Sequence, residues 1–247
     1  MTSEIALYVI AGAAAGGLIN GLAGFGTALF ALGFFLNVMP PVQAVAVVVV
    51  LSALTGLQGV WIVRHAIGAN KRRLARFLVP ALIGIPLGVL VLSVIEARSL
   101  KLVIAAFLIL YGGYFSLRAR LPRFERPTPV WDMLVGFLGG VLGGAASLSG
   151  ALPMMWCALR PWPRHETRAV LQPFNVAVLG LTAGLLALQG VYGRETLVHL
   201  ALAIPVSIVS AQGGIMIFRR LSDDAFRRLL IALTFVSGTV LMLRELL

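Results

Sequence analysis

Apolar residues run through this chain in eight long stretches, roughly 5–38, 41–63, 77–95, 100–117, 131–158, 169–190, 197–218 and 229–243, and polar residues gather in the segments between them. The stretches do not alternate with a period of two, so helices are predicted rather than strands. Crossing a hydrocarbon layer about 30 Å thick takes about 20 helical residues, so most of the stretches can span, some tilted or helped by their flanks. A closed β-barrel is excluded because the stretches are too long and lack the alternation a barrel strand needs.

Two of the stretches are interrupted. "GLINGLAGFG" (17–26) places four glycines in ten positions, and "GGVLGGAASLSG" (139–150) repeats the density. Charge decides how to read these breaks. Of the 20 Lys and Arg, 16 fall in four connecting segments, Arg64–Arg76, Arg118–Arg126, Arg160–Arg168 and Arg219–Arg228, which the positive-inside rule makes cytoplasmic. The other four, Arg98, Lys101, Arg194 and Arg244, mark thin external turns and the C-terminus. If 131–158 crossed once, the arginine-rich segments on either side of it would face opposite compartments. The conflict disappears if it enters from the cytoplasm, turns at its glycines and leaves on the same side. Working back from the segment 64–76, the stretch 41–63 begins outside at Pro40 and Pro41, and a broken hairpin over 5–38 then leaves the N-terminus external.

The predicted fold is therefore an all-α integral membrane protein of two inverted-topology repeats, each a broken re-entrant helical hairpin followed by three transmembrane helices. Residues 1–117 form the first repeat, 118–130 a basic cytoplasmic linker and 131–247 the second. Internal echoes support the division. With a shift of 123, Gly16, Gly17, Gly21, Ala28 and Leu29 fall on Gly139, Gly140, Gly144, Ala151 and Leu152. "LQGVW" (57–61) echoes "LQGVY" (188–192), and Ile85-Pro86 echoes Ile204-Pro205, so Pro86 and Pro205 are expected at matching places. The clustered glycines then form the hairpin turns, each arm of the first having about 15 residues or about 22 Å. The plainer reading of Gly12xxxGly16, Gly17xxxGly21, Gly84xxxGly88 and Gly140xxxGly144 is close packing between membrane helices.

Composition agrees with a membrane protein: 60% of residues are hydrophobic, 12% charged, and mean hydropathy is +0.98. The net charge of +11 belongs to loops, so no nucleic-acid partner is implied. The single cysteine, Cys157, excludes an internal disulfide and offers no metal cluster; no cofactor is expected. No positively charged region precedes the first apolar stretch, so a cleavable signal peptide is not expected.

Helices that restart after a break, near Thr27 and near Ser149, direct unpaired N–H groups and a partial positive charge into the membrane interior, which makes an anion site without a charged side chain. Thr27 and Ser149 are candidate N-caps, and Pro153 suits an early turn. Asn20 and Ser147 add directional donors. Most other Ser and Thr in the spans, such as Ser52 and Thr55, are expected to bond their own helix backbone, whereas Gln172, Asn175 and Gln212 are costly in hydrocarbon and better suited to a pathway. No Asp, Glu, Lys or Arg lies clearly inside a span. If transport is coupled to a proton, the proton rides on the substrate or passes through His199, whose plainer reading is an interfacial residue.

An enzyme is not expected. Ser149-Gly150 and His199 are similar to the serine and histidine of rhomboid proteases, but that family's motif needs glycine at the position of Ser147, and no mid-membrane aspartate is present to act as acid or base.

"GGLINGLAGFG" (16–26) and "GFLGGVLGGAASLSGALP" (136–153) resemble the duplicated glycine-rich segments of the TauE/SafE sulfite exporter family, also called sulfonate or anion permeases. The resemblance covers nearly the whole chain. It implies a bacterial or archaeal inner-membrane carrier, multi-pass in the lipid bilayer, for small sulfur-containing anions of the sulfite, sulfonate or sulfoacetate type. Departures from the family pattern are Thr27-Ala28 in place of further glycines, Ala145, Ala146, Ser147 and Ser149 where glycine and threonine are frequent, and Leu152 before Pro153. Carried over by position, the substrate-binding candidates are Asn20, Gly21, Gly24, Phe25, Gly26 and Thr27 in the first segment and Ser147, Ser149 and Gly150 in the second. Gly24, Gly26, Thr27, Ser149 and Gly150 are the expected contacts. A passive anion channel or a non-catalytic membrane scaffold would use the same parts.

Overall fold

Residues 44–49 read Ala-Val-Ala-Val-Val-Val, and a helix apolar on every side lies either in a protein core or against lipid. In the computed structural model all six are fully buried, at the centre of a helical bundle. The structure describes residues 3–23, 25–117, 124, 128–160, 162, 164–220 and 232, 235, 236, 238, 239, 242, 243 and 246. Among these there is no strand. The helices are α1 (Ser3–Ala23), α2 (Thr27–Phe35), α3 (Pro41–Ile67), α4 (Lys71–Val94), α5 (Ala97–Leu117), α6 (Pro129–Ala146), α7 (Ala151–Ala158), α8 (Arg164–Leu188) and α9 (Arg194–Arg220), with a 3-10 turn, Gly68–Asn70, before α4. The predicted last span, 229–243, and the basic segments 118–126 and 221–228 lie largely or wholly outside the described residues.

Six stretches among the described residues are long and apolar enough to cross a membrane: Ser3–Leu22, Pro41–Trp61, Val63–Val94, Pro129–Ala146, Glu166–Leu188 and Arg194–Ile217. α2 and α7, with 9 and 8 residues, reach about 12–14 Å at 1.5 Å per residue and cannot cross alone. α4 carries an exposed apolar face, Val79, Ile83, Leu87, Leu90 and Val94, whose spacing of three and four residues makes one lipid-facing stripe.

The helices pair across the chain: α1 lies against α9, α4 against α6, and α3 against α8. Glycine decides the first two contacts. A Cβ on Gly17 or Gly21 of α1 would run into the backbone of Ser207 or Ala211 on α9, and one on Gly136, Gly140 or Gly144 of α6 would meet the backbone of Phe77, Ala81 or Ile85 on α4. A second glycine face on each helix takes the short helix that follows it. Gly12 and Gly16 face Phe35 and Thr27 of α2, while Gly139 faces Pro153 of α7 and Ser149 just before it.

These contacts correct the expected turns. α1 runs unbroken through Gly16, Gly17 and Gly21, and α6 through Gly139, Gly140, Gly143 and Gly144, so the arms of the first break are unequal, at 21 and 9 residues. Glycine weakens an isolated helix by about 1 kcal/mol, but here it lets two helix backbones touch, and that packing keeps the helix intact. Two echoes also shift. Leu57 to Trp61 lie inside α3, whereas Gln189 to Tyr192 lie in the connection between α8 and α9. Gly140 faces Ala81 and Gly17 faces Ser207, so it is Pro80, one residue before Ala81, that stands level with Pro205 to within a residue, and Pro86 lies farther along.

At one end of the bundle the start of α6 meets the end of α7. Trp156 Nε1 donates to Asp132 Oδ1 at 2.7 Å, and Arg160, its side chain 3% exposed, pairs with Asp132 at 3.3 Å and donates to Thr128 Oγ1. Arg76 of α4 approaches Asp132 at 3.9 Å, and Arg73 pairs with Glu166 of α8. The segments 70–76, 128–132 and 156–166 therefore lie together. At the other end Gln43 Nε2 donates to Thr196 Oγ1 at 3.1 Å, and the Tyr192 hydroxyl donates to the Ala46 carbonyl at 3.2 Å. Burial pushes that phenol up to about 12, so it remains a protonated donor at neutral pH.

Candidate functional site

The first break turns on Gly26, whose φ of 97° is left-handed, a conformation glycine adopts without the Cβ penalty. α2 begins at the next residue, and Gly26 gives its first turn no side-chain cap. The second break turns on Ser147, the one described non-glycine residue with positive φ (58°). Here α6 closes with Ser147 N–H donating to Gly143 O at 2.9 Å, the single bond of an αL ending, and Leu148 N–H to Leu142 O at 3.0 Å. α7 starts after Gly150, again with no side-chain cap. Thr27 and Ser149 are thus not the N-caps the sequence suggested; glycine takes both positions. Pro153 is the third residue of α7, in its first turn as expected.

Both breaks open on one cavity. Its walls come from Phe25, Gly26, Thr27 and Leu29 around the first break, Ser147 to Ala151 at the second, Asn20 of α1, Ser52 and Gly56 of α3, and Gln172, Asn175 and Leu179 of α8. The volume open to the centre of a water-sized sphere is about 20 Å³, room for one or two waters. The first N–H groups of a helix have no partner within it, and α2 and α7 both start at this wall. In α7 the Ala151 N–H donates to Leu148 O at 3.2 Å and Pro153 has none, which leaves Leu152 N–H in the first turn.

Three hydroxyls in the wall are buried and have no hydrogen-bond partner among the described residues: Thr27 Oγ1, Ser52 Oγ and Ser147 Oγ. Their residues are 1%, 9% and 6% exposed. Leaving such a group unsatisfied costs about 1–3 kcal/mol, so three around one cavity offer hydrogen bonds to a polar guest. Ser147 adds a strained φ, and strain of this kind gathers at working sites. The other polar walls are held. Ser149 Oγ donates to Asn175 Oδ1 at 3.0 Å, and Asn20 Nδ2 donates to Thr55 Oγ1, which itself donates to Leu51 O at 2.7 Å. The amides of Asn175 and Gln172 lie on bare glycine: a Cβ on Gly150 would stand 2.7 Å from Asn175 Nδ2, and one on Gly59 2.5 Å from Gln172 Oε1. Gly150→Ala is therefore expected to push the Asn175 amide off Ser149 and cost about 1–3 kcal/mol, read as a lower unfolding temperature of the purified protein in detergent.

Of the residues singled out from the sequence, Asn20, Phe25, Gly26, Thr27, Ser147, Ser149, Gly150, Gln172 and Asn175 meet in this cavity. Gly21 does not; it packs on Ala211 of α9. Gln212 is exposed and donates to Gln58 Oε1 at 3.0 Å. Gly24 lies outside the described residues. His199 is 8% exposed in α9 and takes no part in the wall. Ser52, Gly56, Leu29, Leu148, Ala151 and Leu179 complete the wall without having been singled out for it. Ser52 carried a signal, as a polar residue in an aliphatic run, but the expectation that it bonds its own backbone holds for Thr55 and Thr182 and not for it.

The family model described as Sulfite exporter TauE/SafE matches residues 8–241 of the chain. No curated protein and no solved structure matches it.

Proposed function

Because this chain belongs to the TauE/SafE sulfite exporter family and is a multi-pass membrane protein, we propose that it is a secondary transporter of small sulfur-containing anions of the sulfite, sulfonate or sulfoacetate type. The cavity between the two breaks is its substrate site. The observation that carries this reading is the convergence of two helix N-termini without side-chain caps and three unpartnered hydroxyls on one cavity. Donors and partial positive charge without a side-chain cation suit a small anion.

Alternating access follows if the halves 1–117 and 131–247 are inverted repeats whose hairpins enter from opposite faces. The pairings support that arrangement: the first helix of each half lies on the fourth helix of the other, α1 on α9 and α6 on α4, and the third elements, α3 and α8, lie on each other. The paired ends of α6 and α7 are what a hairpin re-entering on one side requires. By the positive-inside rule the end bearing Arg73, Arg76 and Arg160 is cytoplasmic and the end bearing Tyr192 and Thr196 external. The membrane is the inner membrane of a bacterial or archaeal cell. A proton, if one is coupled, accompanies the anion.

Radiolabelled sulfite uptake into proteoliposomes tests the reading. Wild-type uptake is expected to saturate. Thr27→Val and Ser147→Ala each remove one hydrogen bond to an anion, worth about 1.5–3 kcal/mol, and should weaken apparent affinity by about 10- to 100-fold in protein that stays folded. Unchanged affinity in both variants would dismiss this cavity as the site.

A further inference from the structure

Among the described residues, none that lines the cavity carries a charged or titratable side chain. A charge cluster closes the bundle's end, where Asp132 pairs with Arg160 and Arg76, and Arg73 with Glu166. Among the described residues, positive potential at the cavity comes from the backbone N–H groups at the starts of α2 and α7 and not from a side-chain cation, and it can offset a single negative charge at most. We propose that the site selects its substrate by charge state: it takes the singly charged anion, hydrogensulfite or a sulfonate, and rejects the doubly charged one, sulfite dianion or sulfate. This rests on the reading of the cavity as an anion site.

Two observations carry the proposal beyond the helix ends. The first is the set of three unpartnered hydroxyls, each on a residue at least nine-tenths buried and facing the cavity. A hydroxyl donates and accepts, so Thr27, Ser52 and Ser147 can serve both the bare oxygens and the protonated oxygen of a hydrogen-bearing anion. An arginine, which only donates, has no use for that proton. The second is burial itself. A second negative charge carried into this space would stand without a counter-charge, and an uncompensated charge in a low-dielectric site is strongly disfavoured. Ser52 thereby becomes a specificity residue on α3, facing the two breaks from the side of the bundle core. A proton crossing with sulfite would then be bound to the substrate and not to a side chain of the site.

Fluorosulfate and sulfate have nearly the same size and shape and differ by one charge, so they separate charge from fit. The experiment uses the full chain in proteoliposomes with the membrane potential clamped, and measures how each competes with labelled sulfite uptake. Fluorosulfate is expected to inhibit at about a hundredfold lower concentration than sulfate, the discrimination an unpaired buried charge imposes. Inhibition by sulfate within about threefold of fluorosulfate, or stronger, would overturn the charge limit and leave anion carriage standing. Saturable sulfite uptake that neither anion inhibits would also overturn it, because the singly charged isostere must have entry. No saturable sulfite uptake from folded protein would remove both this proposal and the transport reading under it.

Discussion

Asp132→Ala is expected to cost about 3–5 kcal/mol of stability, the penalty of stranding a buried charge. The Arg160 side chain is 3% exposed and that of Asp132 5%, and they meet at 3.3 Å. Thr128 Oγ1 and the Phe124 carbonyl still take guanidinium hydrogens after the substitution, the latter at 3.3 Å, but neither supplies a negative charge. Trp156 Nε1 loses its acceptor at the same time. The measurement is the unfolding temperature of detergent-solubilised protein, with Asp132→Leu/Arg160→Met as the control. Because the pair contributes little once its desolvation is counted, the double variant should be markedly more stable than Asp132→Ala alone. Equal losses in the two would mean that packing at this end, and not charge pairing, sets the cost. Either way the substitution acts where α4, α6 and α7 are tied, away from the cavity.

The second large effect is set by a single methyl group. Gly21→Ala would drive a Cβ into the Ala211 carbonyl of α9, an atom that moves only if the helix moves, so a loss of about 3 kcal/mol is expected, at the upper end for overpacking. Gly184 is the contrast. It lies inside α8 with nothing within 4 Å of an added Cβ, and Gly184→Ala should gain up to about 1 kcal/mol from helix propensity. Measured side by side in the same detergent, the two changes are chemically identical and opposite in sign. A Gly21→Ala protein as stable as wild type would refute the close contact of α1 and α9.

How much of this was legible in the sequence differs from residue to residue. Periodicity and length placed the helices, because a chain in lipid has to satisfy its backbone within each segment. The breaks were legible within a few residues, since Gly26 and the Ser147–Gly150 turn stand at the ends of glycine-dense runs. Most of the glycines in those runs were misread as turn residues. Gly17, Gly21, Gly140 and Gly144 are the same residue type as Gly26, and only the neighbour decides which face a helix and which turn the chain. Gln212 and Asn175 likewise look alike as amides in apolar helices; one reaches Gln58 at an exposed position and the other lines the cavity. The role of Ser52 was hidden for the same reason, because nothing local distinguishes a hydroxyl bonded to its own helix from one left facing a space.

What the sequence determined by itself is what depends on local chemistry and on the solvent: a helical membrane protein, the approximate places of its described helices, the two interruptions, and a family resemblance carried by its glycine-rich segments. The tertiary structure alone decided which helices touch, that Arg160 finds Asp132, and that two breaks more than a hundred residues apart share one cavity lined by Ser52. Periodicity reports the face a segment turns toward its surroundings. It carries no information on which segment will supply those surroundings, and a binding site is made of that choice.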